Sequence, residues 1–325
     1  MTYGRVQGVD RQLSKIVMGT LFAIDVDQAS AVLDEFVEQG GNCFDTARHY
    51  GVAELVLGKW MRLRGVRDET VVITKGAHTP NCNPETVTKE LGESLERLQT
   101  DRVDIYFLHR DNPEVPVGEF VDVLSEHKNA GRLSVFGGSN WSLERVDEAN
   151  AYASRNGLHG FTVLSNHMSL ARMVEAPWPG CLAASDATSR KWLAEREMPL
   201  FPWSAQARGF FVDGRAERLA PGVVGRLGRS LQSTLPFIPS RRREDPELVR
   251  CWYSDDNFER LERVREMARR QGVAAVSVAL AYVLNQPTPT FPLIGPVSIE
   301  EARSSLAALD VELSGEDLKW LNLEL

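Results

Sequence analysis

Four side chains able to move or stabilise a proton recur at intervals that bring them together: Asp45, Lys75 and His109, with Tyr50 five positions past the aspartate. The steps from Asp45 to Lys75 to His109 to Ser139 are 30, 34 and 30 residues. Asp45 ends the run Asn42-Cys43-Phe44-Asp45, Lys75 follows Val71-Val72-Ile73-Thr74, and His109 follows Asp104-Ile105-Tyr106-Phe107-Leu108. Together they suit one chemistry. A carbonyl oxygen that becomes an alkoxide needs a proton as the charge forms. A free tyrosine, with pKa near 10, is a poor donor at neutral pH, and a nearby ammonium is expected to bring that value down. Asp45 would hold Lys75 charged and oriented, and His109 could donate a hydrogen bond to the oxygen. Taken singly, each has a plainer reading: Asp45 as a turn residue, Lys75 as a snorkelling surface lysine, His109 as a core histidine. Their spacing is what favours a shared site.

That spacing is one strand plus one helix. Eight short apolar runs alternate with segments of helical period: the three above with Ile16–Gly19, Ser134–Gly137, Phe161–Leu164, Leu200–Trp203 and Phe291–Ile294. Near-continuous apolar runs are expected of parallel strands covered on both faces. Amphipathic faces lie between them: Val32, Leu33, Phe36 and Val37; Val87, Leu91, Leu95 and Leu98, after an Asn83 cap and Pro84; and Phe258, Leu261, Val264 and Ala268. The pattern predicts an α/β fold, a (β/α)8 (TIM) barrel forming a single domain over 1–325, with reactive groups at the C-terminal strand ends. From about Ala207 to Arg250 the period is lost, which predicts a long covering loop after the seventh strand. Leu313 to Leu323, capped by Ser314, reads as a closing helix.

Composition excludes several alternatives. The chain has 325 residues, a net charge of −8 and only short basic clusters such as Arg241-Arg242-Arg243, read as a solvated loop edge, so no nucleic-acid partner is expected. No apolar stretch of about 18 residues and no secretory leader pattern is present, so neither a membrane partner nor export is expected. Cys43, Cys82, Cys181 and Cys251 are widely spaced, which fits free thiols in a cytoplasmic enzyme and no metal site. Neither GxGxxG after a strand nor GxxxxGK[ST] occurs, which argues against a Rossmann domain or a phosphate loop.

The sequence resembles the aldo-keto reductase superfamily from about Val17 to its end. Asp45-Thr46-Ala47-Arg48-His49-Tyr50-Gly51 is similar to its DTAxxYG motif. Ile73-Thr74-Lys75 and Tyr106-Phe107-Leu108-His109-Arg110 resemble the strands carrying its lysine and histidine. Gly138-Ser139-Asn140-Trp141 resembles its GxSN segment, and Pro292-Leu293-Ile294-Gly295-Pro296 its cofactor clamp. The cover after Trp203 and the Leu-His-Arg-Asp segment look closer to the bacterial, potassium-channel β-subunit-like branch than to animal aldose reductases. The resemblance implies a NAD(P)(H)-dependent oxidoreductase acting on an aldehyde or ketone, or the alcohol, with Asp45, Tyr50, Lys75 and His109 as catalytic tetrad. It implies Ser139 and Asn140 on the nicotinamide carboxamide, Trp203 stacked on the ring, and Ser204, Gln206 and Gly209 along the pyrophosphate, with Gly295 in the clamp.

The departures bear on specificity. Ser165 stands where the family commonly has a glutamine on the carboxamide, and would need a water to reach it. Val297, Glu301 and Ser305 stand where members that prefer NADP(H) often carry Arg or Ser, then Gln or Arg, then Asn, so NADP(H) or NAD(H) remains open with a lean to relaxed or NAD(H) use. Glu301 also forms an S-x-x-E pattern with Ser298, a capping box. Phe22, His49, His78, Arg110, Trp178, Arg208 and Trp252 are the rim residues expected to meet substrate. Their mix of aromatic faces and donors suits a sugar, cyclitol or other polyol carbonyl. The segment Glu175–Cys181 is expected to shape the pocket. Two alternatives stay open: a non-catalytic regulatory subunit with bound nucleotide, and a lyase or glycoside-cleaving enzyme using transient oxidation. The oligomeric state is not legible.

Overall fold

The computed structural model describes residues 1–216 and 245–325. Two short strands, β1 (Tyr3–Gly4) and β2 (Leu13–Ser14), pair as an antiparallel hairpin. Seven more are parallel: β3 (Val17–Gly19), β4 (Cys43–Asp45), β5 (Val71–Gly76), β6 (Val103–Leu108), β7 (Leu133–Ser139), β8 (Val163–Ser165) and β9 (Leu293–Ile294). Their order is β8-β7-β6-β5-β4-β3-β9. Residues 200–203 fill the gap between β8 and β9: Leu200 bridges both Leu164 and Thr290, and Leu293 N donates to Pro202 O. The eight apolar runs are therefore eight staves of a closed barrel. The seventh makes only isolated bridges, because Pro199 and Pro202 lack the N–H a ladder needs.

Helices wrap the outside: α1 (Val26–Glu38), α2 (Ala53–Arg64), α3 (Pro84–Leu98), α4 (Val117–Asn129), α5 (Leu143–Asn156), α6 (Ala187–Glu195), α7 (Pro246–Trp252), α8 (Asp255–Gln271), α9 (Ala275–Leu284), α10 (Ile299–Leu306) and α11 (Gly315–Leu321). The expected caps are formed. Asn83 Oδ1 accepts from Thr86 N at 2.9 Å ahead of Pro84, and Ser314 makes a capping box with Asp317. Helix α11 is the closing helix, held on α8 where Arg263 donates to Trp320 O at 2.6 Å. The expected cover is described at its two ends, a 3₁₀ turn at Ala207–Gly209 and then α7. Its middle, 217–244, with Arg241-Arg242-Arg243, lies outside the described residues. Among the described residues no helix is long and apolar enough to cross a membrane.

Strand alternation divides the core in two. Val72, Tyr106 and Leu108 face outward and pack with the helices. Val71, Ile73, Ile105 and Phe107 face inward and meet Phe201 and Phe291, whose rings stack at 4.9 Å. The hairpin, which the sequence pattern did not reveal, adds Val6, Val9 and Leu13 to this inner cluster. It is latched at the N-terminal strand ends by Asn42, whose Oδ1 accepts from Ser14 N at 2.7 Å and whose Nδ2 donates to Gln12 O at 2.9 Å. One end of the barrel is thus sealed.

Candidate active site

At the other end the inward-facing positions become polar. Continuing the alternation of Cys43 leads to Asp45, that of Ile73 to Lys75 and that of Phe107 to His109. Lys75, only 2% exposed, places Nζ 2.5 and 2.6 Å from the two carboxylate oxygens of Asp45 and 3.1 Å from Thr46 O. The same Nζ lies 5.3 Å from the Tyr50 ring centroid. The Tyr50 and His109 rings meet edge to face at 5.7 Å, so all four tetrad residues converge. His49 and His78 stack at 4.3 Å, and His78 in turn meets His109 at 4.8 Å.

Burial and charge compete here. Burial alone would discharge Lys75, but Asp45 and Tyr50 together hold it above the ordinary lysine value. For Tyr50, burial raises the pKa and the Lys75 charge lowers it; burial prevails, leaving the phenol above 10. That direction is opposite to the expected lowering: the ring is only partly exposed, and the hydration it loses outweighs the nearby ammonium. His109 is pushed well below 6.5, first by burial and then by Lys75. It is a neutral imidazole at physiological pH, with one ring nitrogen, Nδ1, lacking a partner among the described residues.

A cleft of about 1410 Å3 runs from these strand ends to α10. Ser139, Asn140, Trp203, Ser204, Gln206 and Gly209 line its middle. Asn140 takes a left-handed φ of 59°, and its Oδ1 accepts from Trp203 Nε1 at 3.2 Å and Leu182 N at 3.1 Å. Its Nδ2 donates to Ser139 Oγ at 3.1 Å, and Ser139 Oγ donates to Ser165 O at 2.9 Å. One amide N–H of Asn140 is unspent among the described residues. At the far end Gly295, Val297, Glu301 and Ser305 line the cleft, and Gln206 Nε2 donates to Ser305 Oγ at 3.1 Å. Ser298 Oγ accepts from Glu301 N at 3.3 Å as expected, but the Glu301 carboxylate accepts from Val297 N at 3.0 Å, one residue before the cap. The expected capping box is half formed.

At the rim, His78, Arg110, Trp178 and Arg208 line the cleft. Arg208 is ion-paired with Glu247 at 3.3 Å and Asp245 at 3.5 Å. Arg250 donates to Ala176 O and Pro177 O at 3.0 and 2.9 Å, which fixes the Glu175–Cys181 segment with Trp178 half exposed over the opening. Three expected residues are elsewhere. Phe22 packs partly buried on the helix side of the barrel, and Leu21 lines the cleft in its place. Trp252 is wholly buried on α7, in the core rather than at the rim. The Ser165 hydroxyl donates to Phe201 O at 2.9 Å, turned away from the cleft. Thr20 and Glu300, absent from the sequence reading, also line it. Thr20 Oγ1 donates to Asp45 O at 3.0 Å, a backbone contact with no sequence signature.

The cleft thus sets a buried Lys–Asp pair beside a tyrosine and a histidine at one end of the barrel. The aldo/keto reductase family profile covers residues 15–322. The chain belongs to the aldo/keto reductase family. It is an NAD(P)(H)-dependent oxidoreductase acting on carbonyl or alcohol substrates. It is 26% identical to the uncharacterized oxidoreductase YrpG of Bacillus subtilis, over 99% of this chain and 95% of that one. It is 28% identical to a norsolorinic acid reductase of Aspergillus flavus (92% of this chain, 72% of that one). It is 28% identical to the aryl-alcohol dehydrogenase GME11368 of Pestalotiopsis microspora (90% and 71%). The crystal structure of the thermostable aldo-keto reductase Tm1743 superposes with a TM-score of 0.72 over 99% of both chains at 18% identity, a likeness of fold.

Proposed function

We propose that Tyr50 gives its proton to the carbonyl oxygen during reduction and recovers it during alcohol oxidation. The observation carrying this reading is the Lys75–Asp45 pair, buried beside Tyr50 at the cleft floor. A bound nicotinamide supplies or accepts the hydride, that is, the two electrons exchanged at the carbonyl carbon. Lys75 provides the positive charge that a phenolate needs once the proton has left, and Asp45 keeps that charge in place. His109, uncharged, offers a ring N–H to the carbonyl oxygen.

The cleft residues fit such a cofactor. The unspent N–H of Asn140, beside Ser139, would serve a carboxamide oxygen, and Trp203, lining the same cleft, would offer a flat face to the ring. Ser204, Gln206 and Gly209 would follow the pyrophosphate, and Gly295 with the start of α10 would hold the adenosine. Cofactor choice leans to NAD(H). Among the described residues, the α10 end of the cleft offers Val297, Glu300, Glu301, Ser304 and Ser305 and no cation. Arg303, the one cation within α10, is held by Glu35 through two bonds of 2.9 Å.

The substrate we favour is a polyhydroxylated carbonyl such as a sugar or cyclitol, because Trp178, His78, Arg110 and Arg208 combine flat faces with donors. We also assign the chain to the branch that includes potassium-channel β subunits, treat 1–325 as one functional domain, and place it in the cytoplasm, where four free buried thiols persist. Tyr50→Phe tests the central claim. We expect kcat to fall at least about 100-fold, with dinucleotide affinity changed less than about threefold by fluorescence titration. Near-normal turnover would remove Tyr50 from the role.

A further inference from the structure

Arg110 is 6% exposed and lines the cleft, yet no carboxylate pairs with it among the described residues. Its Nη1 donates to His109 O at 2.9 Å, its Nη2 makes a 3.5 Å contact with Cys181 Sγ, and its Nε has no partner among the described residues. A guanidinium withdrawn from water is normally paired, since an isolated buried charge is costly. The neighbouring acids are committed elsewhere: Asp45 to Lys75, Asp111 to Arg145 at 3.2 Å and Glu247 to Arg208. The Nη1 side is fixed by the backbone of the catalytic histidine, and the Nη2 side holds only a thiol. The loop over it is fixed as well, by Arg250 on Ala176 and Pro177. Arg110 also acts at the reacting end of the cleft, where its charge opposes protonation of His109 and His78.

We infer that Arg110 recognises a carboxylate carried by the substrate, displacing the weak thiol contact, so that among the polyhydroxylated carbonyls favoured above the acidic ones, such as uronates, are preferred, and formyl-aryl acids serve as simple probes of the same site. A planar carboxylate matches the fork of an arginine and forms charge-assisted hydrogen bonds with it, which a neutral ester cannot. This deepens the carbonyl-reductase reading above and rests on it.

The test compares 4-carboxybenzaldehyde with methyl 4-formylbenzoate, D-glucuronate with D-glucose, and glyceraldehyde 3-phosphate with glyceraldehyde. For each carboxylate pair, kcat/KM should favour the acid at least about tenfold. Arg110→Met should bring that ratio toward one, and Arg110→Lys should keep part of it. The melting temperature of each variant shows whether it folds. Binding of 4-(hydroxymethyl)benzoate against its methyl ester to wild type loaded with the reduced dinucleotide, read by protein fluorescence, should show the same preference without turnover. Loss of acid and ester activity in equal measure in Arg110→Met, or an acid preference that survives it, overturns the inference. A preference confined to the phosphate pair overturns the carboxylate assignment. Charge-selective binding with no turnover of any carbonyl counts against the reductase reading and leaves only the carboxylate-binding role of Arg110 standing.

Discussion

The two ends of the barrel are made from the same inward-facing rows, yet they do opposite things. At the lower end Cys43, Ile73, Phe107 and Val163 are apolar and buried against the hairpin residues Val6, Val9 and Leu13. Two residues further along the first three of these rows stand Asp45, Lys75 and His109. The lower end gains from excluding water altogether. The upper end excludes water around charges, so every charge there must be paired or put to use. Lys75 and Asp45 solve this mutually, with Nζ within 2.6 Å of both carboxylate oxygens. A barrel thus separates the residues that hold it together from those that react by one pleat of strand.

Breaking the upper pair has the largest expected effect. Lys75→Met removes the charge that stabilises the Tyr50 phenolate and leaves Asp45 buried alone. We expect kcat to fall at least about 100-fold and stability by roughly 3–5 kcal/mol, as when one partner of a buried pair is removed. Adding Asp45→Asn should restore much of the melting temperature and none of the activity. Recovery of turnover in the double variant would show that the charge itself is dispensable. The lower end should fail differently. Leu13→Ala empties part of the fully buried hairpin contact, with an expected loss of about 2–5 kcal/mol and kcat unchanged within about twofold well below the melting temperature. A loss of activity in proportion to stability would mean that the two ends are coupled rather than separate.

The same division explains what could be read from the sequence. Strand ends were legible because apolar runs stop abruptly at Asp45, Lys75 and His109, and because one strand–helix unit fixes their spacing. The seventh stave was found from Leu200–Trp203 although it makes no ladder, since composition rather than pairing carried the signal. The hairpin was missed because its strands are two residues each, within a polar N-terminal stretch. Loop residues carry a weaker signal. Phe22 and Leu21 are adjacent and both apolar, and only the turn after β3 decides which one faces the cleft. Trp252 looked like a rim aromatic but sits inside a helix whose buried face it completes. Ser165 was placed correctly on its strand, but its hydroxyl spends its proton on Phe201 O, a backbone bond that no side-chain pattern records. Glu54, wholly buried on α2, accepts from Thr74 Oγ1 at 2.7 Å and Arg97 Nε at 2.9 Å, a support behind β5 that a generic helix pattern hides.

The far end of the cleft sharpens the comparison, because there the upper surface meets an anion rather than a proton. A 2′-phosphate brings close to two negative charges toward Glu300 and Glu301, and the ribose hydroxyl of NAD(H) brings none. Glu301→Arg should move the ratio of kcat/KM for NADP(H) over NAD(H) upward by about tenfold, equal to about 1.4 kcal/mol. Its carboxylate also accepts from Val297 N, so a small loss of stability is expected alongside. A wild type preferring NADP(H) by more than about a hundredfold would show that another cation holds the phosphate.

The smallest expected effect is a near-absence of pH dependence. Carbonyl reduction needs Tyr50 protonated, so its contribution is full below the Tyr50 pKa and is lost as pH rises through it. Burial, opposed only in part by Lys75, puts that value above 10 in the free enzyme. His109 must be neutral to serve as a plain hydrogen-bond donor, and its pKa lies well below 6.5, so it gives no limb near neutrality. Since kcat/KM reports groups of the free enzyme, its value for reduction should vary by less than about twofold from pH 6.5 to 9. The fall should come only on the alkaline side of 10. A limb centred between pH 6 and 7 that disappears in His109→Gln would mean that the imidazolium is the working form. The burial that seals the lower end would then fail to set the charge state of the upper one.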